Sequence, residues 1–295
     1  MALYMNGQEI SQSSGVPILG ATKPYIEEIY NSDGQLISAN MHGYDAIRSY
    51  MFSDCTKLAL TSLPSGITSI KNNAFYSCTK LALNSLPSGI TSIGSNAFSG
   101  CTNLALTSLP SGLTSISSYT FHSCSNLALT SLPSGITSIG LGAFLNCSKL
   151  ALTSLPSGIT SINISTFENC SNLALTSLPS GITSIKNNAF YSCTKLALTS
   201  LPSGLTSIGR DAFYYCPNLA LTSLPSGLTD IGNNAFEKCT GLTSITFTGT
   251  PTSIGNRAFS NCTNLRTINV PWASGAVANA PWGATNATIN YGYAG

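Results

Sequence analysis

The chain has 295 residues, of which only 7% are charged, far below the roughly 25% of an average soluble protein; Ser, Thr, Asn and Gly carry its polarity instead. A net charge of +2 lacks the basic surplus of a nucleic-acid binder, so no nucleic acid is expected as a partner. No run approaches the about 18 consecutive apolar residues that a membrane-crossing helix needs, so membrane insertion is not expected either.

In chain order, the start MALYMNGQEISQSSG has neither the basic region nor the apolar stretch of a secretory signal. The expectation is that a product acting outside a cell leaves by lysis or on a particle. Residues 1–54 carry six acids (Glu9, Glu27, Glu28, Asp33, Asp45, Asp54) against Lys23 and Arg48, whereas the remainder carries ten Lys or Arg against Glu168, Asp211, Asp230 and Glu237. Residues 1–32 follow no register and are expected to form an attachment segment, a small strand-rich piece or a partly ordered arm. In residues 33–54, Tyr44, Ile47, Met51 and Phe52 fall on the apolar columns of the repeat that follows, which predicts a degenerate capping repeat.

From Cys55 to Pro271 the sequence is periodic. Its ten cysteines lie at 55, 78, 101, 124, 147, 170, 193, 216, 239 and 262, each 23 residues after the last. A constant period of this length marks a solenoid, in which one short unit is copied and stacked on its neighbours. Counting from each Cys, apolar residues recur at +3, +5, +8, +12, +15, +19 and +20; in the third unit these are Leu104, Leu106, Leu109, Leu113, Ile116, Thr120 and Phe121. One unit cannot bury them alone, but stacked copies form continuous ladders.

Pro at +9 (Pro64, Pro87, Pro110) and Gly at +11 (Gly66, Gly89, Gly112) mark a bend between two short strands, L-x-L-T-S-L before it and [IL]-T-S-I after it. The segment Asn72 to Cys78, poor in β-branched residues, predicts a short 3₁₀ or α turn closing each coil. Strand spacing of about 4.8 Å makes the array a rod of roughly 45 Å. The fold class expected is therefore a β-rich solenoid with a parallel sheet and short helical turns, one elongated domain over residues 55–271.

Three readings are open for the cysteines. Metal binding requires close pairs, which a 23-residue spacing does not supply. Disulfides between adjacent coils would span more than the Cβ separation that such a bond prefers. Stacking favours the third, a ladder of buried free thiols acting as small hydrophobes. No metal or cofactor is expected.

Substitution concentrates at +16 to +18 and at +21 to +22. If a protein-like partner is recognised, this turn edge is where contact is expected, through Lys71, Asn72, Tyr76, Tyr119, His122, Arg210, Asp211, Tyr214, Tyr215, Glu237 and Lys238. The uniform Thr-Ser pairs of the strands would suit a repetitive ligand such as a glycan. Residues 58–83 and 173–198 are identical, five units apart, as block duplication would leave them. Residues 272–295 read as a C-terminal cap whose Trp272, Trp282, Ile289, Tyr291 and Tyr293 form a lid on the last coil; an exposed aromatic sugar platform is the alternative.

The unit C-x-x-L…L-P-x-x-[IL]-T-S-I-G-x-x-A-F-x-x-C resembles the BspA-type (Treponema-type) leucine-rich repeat over residues 44–271. The front strand departs mildly, with L-A-L-T-S-L-P in place of the commoner L-x-x-I-x-I-P. The resemblance implies a right-handed leucine-rich-repeat solenoid and a role in adhesion or protein binding. The tail V-P-W-A-S-G-A-V-A-N-A-P-W-G-A-T-N-A-T-I-N-Y is similar to endings of repeat proteins in gut Firmicutes and their prophages.

With His42 and His122 the only histidines, no nucleophile–base arrangement stands out and no enzyme is expected. The leading expectation is a phage or prophage tail or baseplate protein in the virion. Its rod would recognise a host surface protein or cell-wall glycan, and residues 1–32 would dock to virion structural proteins. The alternative is a bacterial cell-surface or released adhesin of the BspA kind. Pairing with a second copy of the chain is a further option.

Overall fold

In the computed structural model, residues 3–5, 8–10 and 24–294 are described. In chain order the strands are β1 (Leu3–Met5), β2 (Gln8–Ile10), β3 (Tyr25–Tyr30), β4 (Leu36–His42), β5 (Ala46–Ile47), β6 (Ser69–Ile70), β7 (Ser92–Ile93), β8 (Ser115–Ile116), β9 (Ser138–Ile139), β10 (Ser161–Ile162), β11 (Ser184–Ile185), β12 (Ser207–Ile208), β13 (Ser223–Leu224), β14 (Asp230–Ile231), β15 (Ser244–Phe247), β16 (Ser253–Ile254), β17 (Thr267–Val270) and β18 (Thr288–Tyr291). Among the described residues no helix is long and apolar enough to cross a membrane.

The N-terminal end holds two antiparallel hairpins, β1–β2 and β3–β4. Asn31 folds the second, its Oδ1 accepting the N–H groups of Asp33 (3.1 Å) and Gln35 (2.8 Å). The boundary expected at 32/33 falls inside this turn. β4 buries Ala39 and Met41 against the rod, and the Ile37 carbonyl accepts the Ala59 N–H at 3.0 Å, so the hairpin carries the first coil.

Beyond it the chain coils in steps of 23 residues. The pairs after the bend stack in parallel and in register: Ile47 on Ile70 on Ile93, Ile116 on Ile139, and Ile162 through Ile185, Ile208 and Ile231 to Ile254. The ladder is interrupted twice, each time with a local cause. At +16, the backbone N–H of Gly94 bonds Ile70 O (2.8 Å) and that of Gly140 bonds Ile116 O (2.8 Å). Ser117 and Asn163 instead reach the Ile93 and Ile139 carbonyls with their side chains (2.8 and 2.7 Å). The same two coils carry Thr120 and Thr166 where others have Ala, each hydroxyl donating to the +16 carbonyl of its own coil.

Two expectations need correction. The segment before the bend is a paired strand only toward the C-terminal end, where β13, β15, β17 and β18 form one parallel sheet. Elsewhere one bond per coil holds it, as from Ala82 N–H to Leu60 O (3.0 Å). In β15 and β17 alternate residues are buried, the period of a strand, whereas L-A-L-T-S-L leaves Thr and Ser exposed side by side.

The closing segment is neither 3₁₀ nor α helix. It carries a left-handed residue at +18 and again at +22, as at Asn73 (φ 56°) and Ser77 (φ 58°), and the columns repeat down the rod. A left-handed residue every four positions stops a right-handed helix. Local turns, such as Tyr76 N–H to Asn73 O (3.2 Å), alternate with bonds to the next coil, such as Phe75 N–H to Ala97 O (2.8 Å).

Inside, the phenylalanines from Phe52 to Phe259 form a stack, successive rings 5.3–5.7 Å apart and within 13° of parallel. All ten cysteines are free; nine are buried and Cys55 is partly exposed. From Cys78 to Cys262 each thiol donates to the Phe carbonyl of the preceding coil at 2.9–3.1 Å. Burial disfavours the thiolate, pushing Cys78 and Cys262 up to about 12. At the far end Trp272 and Trp282 are buried beside Phe247, and β18 adds a last parallel strand. Ile289 packs against this core, but Tyr291 and Tyr293 stay exposed and are not part of the lid.

Candidate interaction surface on the turn edge

Because Ala at +19 and Phe at +20 point into the core, the flanking positions +16 to +18 and +21 to +22 mostly reach the surface, with Ser99, Gly142, Asp211 and Glu237 buried. The two left-handed positions fix how they project. Asn, Asp and Gly fill many of them at little cost, but Tyr119, Tyr215, Lys238 and Arg257 adopt the same conformation with bulky side chains.

The sequence-expected residues fall into three groups along this edge. Lys71 and Tyr76 are exposed on one coil; Asn72 is committed, its Oδ1 accepting the Ser95 N–H at 2.9 Å. Two coils further, Tyr119 lies over Gly142, where an added Cβ would meet the tyrosine ring, and packs edge-on against His122 at 5.9 Å. His122 Nδ1 is 3.1 Å from Ser99 Oγ, and burial lowers the imidazole pKa. Ser99 is itself buried, and among the described residues no carboxylate bonds the His122 ring.

The third group is a built cluster. The rings of Tyr191 and Tyr214 stack at 4.7 Å, and Lys238 Nζ donates to the Tyr214 hydroxyl at 2.6 Å, 4.9 Å from the ring centroid. That hydrogen bond raises the lysine pKa, and burial raises that of Tyr191. Asp211 and Glu237, expected as solvent-edge contacts, are buried at 8% and 2% exposure and act as anchors beneath the surface. Asp211 accepts from Arg210 Nε (2.8 Å) and Asn234 (2.9 Å); Glu237 accepts from Arg257 (2.7 Å) and Asn261 (3.3 Å). Tyr215 stands exposed beside them.

Tyr191, Asn234 and Arg257 were missed, as was Glu168, which accepts from Asn188 at 3.5 Å. For the first three the signal was present, since they occupy the +18 and +21 columns one coil up or down from residues that were named; Glu168 lies two coils from His122 and Tyr214. Also missed were Leu141, Leu145 and Ile164, of which Ile164 is 42% exposed, in the coils between the groups.

What this cluster can do follows from which surfaces are open. A sugar stacks on the face of an aromatic ring, yet one face of Tyr214 is covered by Tyr191, and Lys238 engages its hydroxyl at the ring's edge. The patch presents ring edges, hydroxyls and three tethered cations, Arg210, Lys238 and Arg257. That suits a polar, shape-specific partner better than a sugar platform.

A family model described as the BspA type leucine rich repeat region, in 6 copies, matches residues 45–174 and 166–279. A leucine rich cell surface protein from Faecalibacterium prausnitzii A2-165 is 25% identical with a TM-score of 0.52, covering 95% of this chain and 96% of that one. A leucine-rich repeat protein from Bacteroides ovatus ATCC 8483 is 23% identical with a TM-score of 0.50 (84% and 81% covered). One from Eubacterium ventriosum ATCC 27560 is 19% identical with a TM-score of 0.52 (92% and 85% covered). No curated protein matches.

Proposed function

This chain belongs to the BspA-type leucine-rich repeat family, and on that premise we propose that it is a non-catalytic adhesion module whose turn edge grips a protein on another cell surface. The Tyr191–Tyr214–Lys238 stack carries the reading. It is a pre-ordered aromatic and cationic group flanked by Arg210 and Arg257, which are held on buried carboxylates, and pre-ordered Tyr, Trp and Arg side chains dominate protein interfaces.

Of the two settings expected from the sequence, the bacterial surface is supported by a similar structure described as a cell surface protein. The phage-particle setting has no such support here. Residues 1–32 as the attachment point remain part of the proposal, with 11–23 outside the described residues.

The test is binding of the fluorescently labelled chain to intact cells, compared with a Tyr191→Ser, Tyr214→Ser, Lys238→Ser variant. Loss of a hot spot worth about 2 kcal/mol lowers affinity about 30-fold while leaving the melting midpoint in place. Undiminished binding by the folded variant refutes the turn-edge assignment. Protease shaving of the native bacterium, against sedimentation of its phage particles, decides the setting.

A further inference from the structure

Charge is segregated around the coil. Every acid of the rod, Glu168, Asp211, Asp230 and Glu237, lies between +14 and +22, and the side running from +1 to +11 contains none from Cys55 onward. That side nonetheless carries Lys57, Lys80, Lys149 and Lys195, all at +2, and Arg266 at +4 in the last unit. All five are exposed, and among the described residues none forms an ion pair. Solvation alone would scatter cations among acids, as it does on the turn edge, where arginine meets carboxylate.

The neutral groups beside this ridge differ in kind from those elsewhere. At +1 and +13 the hydroxyls are committed: Thr79 Oγ1 donates to Thr56 O (3.2 Å), and Thr206 Oγ1 donates to Thr183 O (3.0 Å). In the eight units from Cys55 to Lys238 the hydroxyls at +6, +7 and +10, represented by Thr107, Ser108 and Ser111, are exposed (Ser223 partly) and, Ser85 apart, hold no intramolecular bond among the described residues. They form rows over these eight units, broken once by Asn84 at +6 and ending where Ile245 and Gly249 take the +6 and +10 positions.

We propose that this side of the rod is a second binding surface, for a linear anionic polysaccharide lying along the rod. The lysine column would neutralise its charges, and the open hydroxyl rows would bond its sugar hydroxyls. The lysines stand one, three and two coils apart, about 5, 15 and 10 Å at ordinary strand spacing. Long flexible stems let them meet charges repeated along a chain without strict register. A polymer of sugars matches rows that repeat at 23-residue steps over eight units; a folded protein surface has no such repeat. The surface rests on the binding-rod reading but lies on a different side of the coil from the tyrosine cluster.

The test measures binding of the full chain to polygalacturonate (carboxylate) and to a poly(glycerol phosphate) (phosphodiester), with dextran as the neutral polymer. Binding to at least one anionic polymer and not to dextran is expected, and the tighter of the two identifies the anion. Four neutralised charges make affinity fall by up to about 50-fold between 50 and 200 mM salt, taking the single-strand counterion coefficient. A Lys57→Gln, Lys80→Gln, Lys149→Gln, Lys195→Gln variant should lose at least tenfold, while the triple serine variant of the tyrosine cluster binds the polymer as wild type. No binding at 50 mM salt, equal binding to dextran, or undiminished binding by the folded glutamine variant each overturns the proposal. None of these touches cell binding through the turn edge.

Discussion

Phe121→Ala tests the stacked interior at its middle. The ring is fully buried, 5.7 Å from Phe98 and 5.6 Å from Phe144, and the rod beyond it in both directions depends on that contact. The backbone bond from Phe121 N–H to Ala143 O (2.9 Å) survives, so the loss is that of the side chain alone. Transfer and cavity terms together cost about 3–5 kcal/mol, and two broken ring contacts of about 0.5–1.5 kcal/mol each place it toward the upper end.

For 295 residues the unfolding entropy is about 0.6 kcal/mol/K, so a rod melting as one unit drops by about 5–8 °C. Coils touch only their neighbours, however, and a weak point in the middle can divide the transition. Both tryptophans, Trp272 and Trp282, sit in the C-terminal end. Urea unfolding followed by tryptophan fluorescence should therefore lag the circular-dichroism transition in the variant and coincide with it in wild type. Phe52→Ala removes a ring with a single stacked neighbour, Phe75 at 5.3 Å, and should cost less and divide nothing. An unchanged midpoint for Phe121→Ala, or a loss no larger than that of Phe52→Ala, refutes the ladder as the main source of stability.

Other predictions concern single positions. A thiol reagent at pH 8 should titrate about one cysteine, the half-buried Cys55, in the native protein and ten in denaturant; rapid labelling of most thiols in the native state contradicts the sealed column. Gly209→Ala would place its Cβ 2.5 Å from the Asn187 backbone nitrogen and should cost about 1–3 kcal/mol, whereas Gly204, with nothing within 4 Å, should accept Ala with little change; equal melting of the two contradicts the coil contact. Burial lowers the His122 pKa below its usual 6.5, so the unfolded chain binds the proton more readily. Stability should fall as pH drops from about 6.5 and level off below the folded-state pKa, and His122→Asn should flatten that part of the melting-versus-pH curve; an unaltered slope refutes it.

How much of this could be read beforehand depends on what repetition averages out. A residue type kept in every unit reports an environment shared by all coils, so the Cys, Phe and Ile columns and the bend at Pro were legible. The turn conformation was not. Asn, Ser, Asp, Tyr, Lys, Arg and Gly alternate at +18 and +22, and only the backbone reveals that all of them are left-handed. The front segment misled because its leucines at +3, +5 and +8 look strand-like until the adjacent exposed Thr and Ser are seen to break the alternation.

The turn edge shows the same limit from the other side. Tyr76 and Tyr191 sit in identical stretches of sequence, yet Tyr191 stacks on Tyr214 whereas the coil after Tyr76 offers Ser99 at that position. In a solenoid a side chain's partners lie 23 residues away, so identical units acquire different surfaces from their neighbours. A site on such a rod belongs to a pair of coils, and searching it one unit at a time finds the named half, Tyr214 and Lys238, and misses the half that completes it.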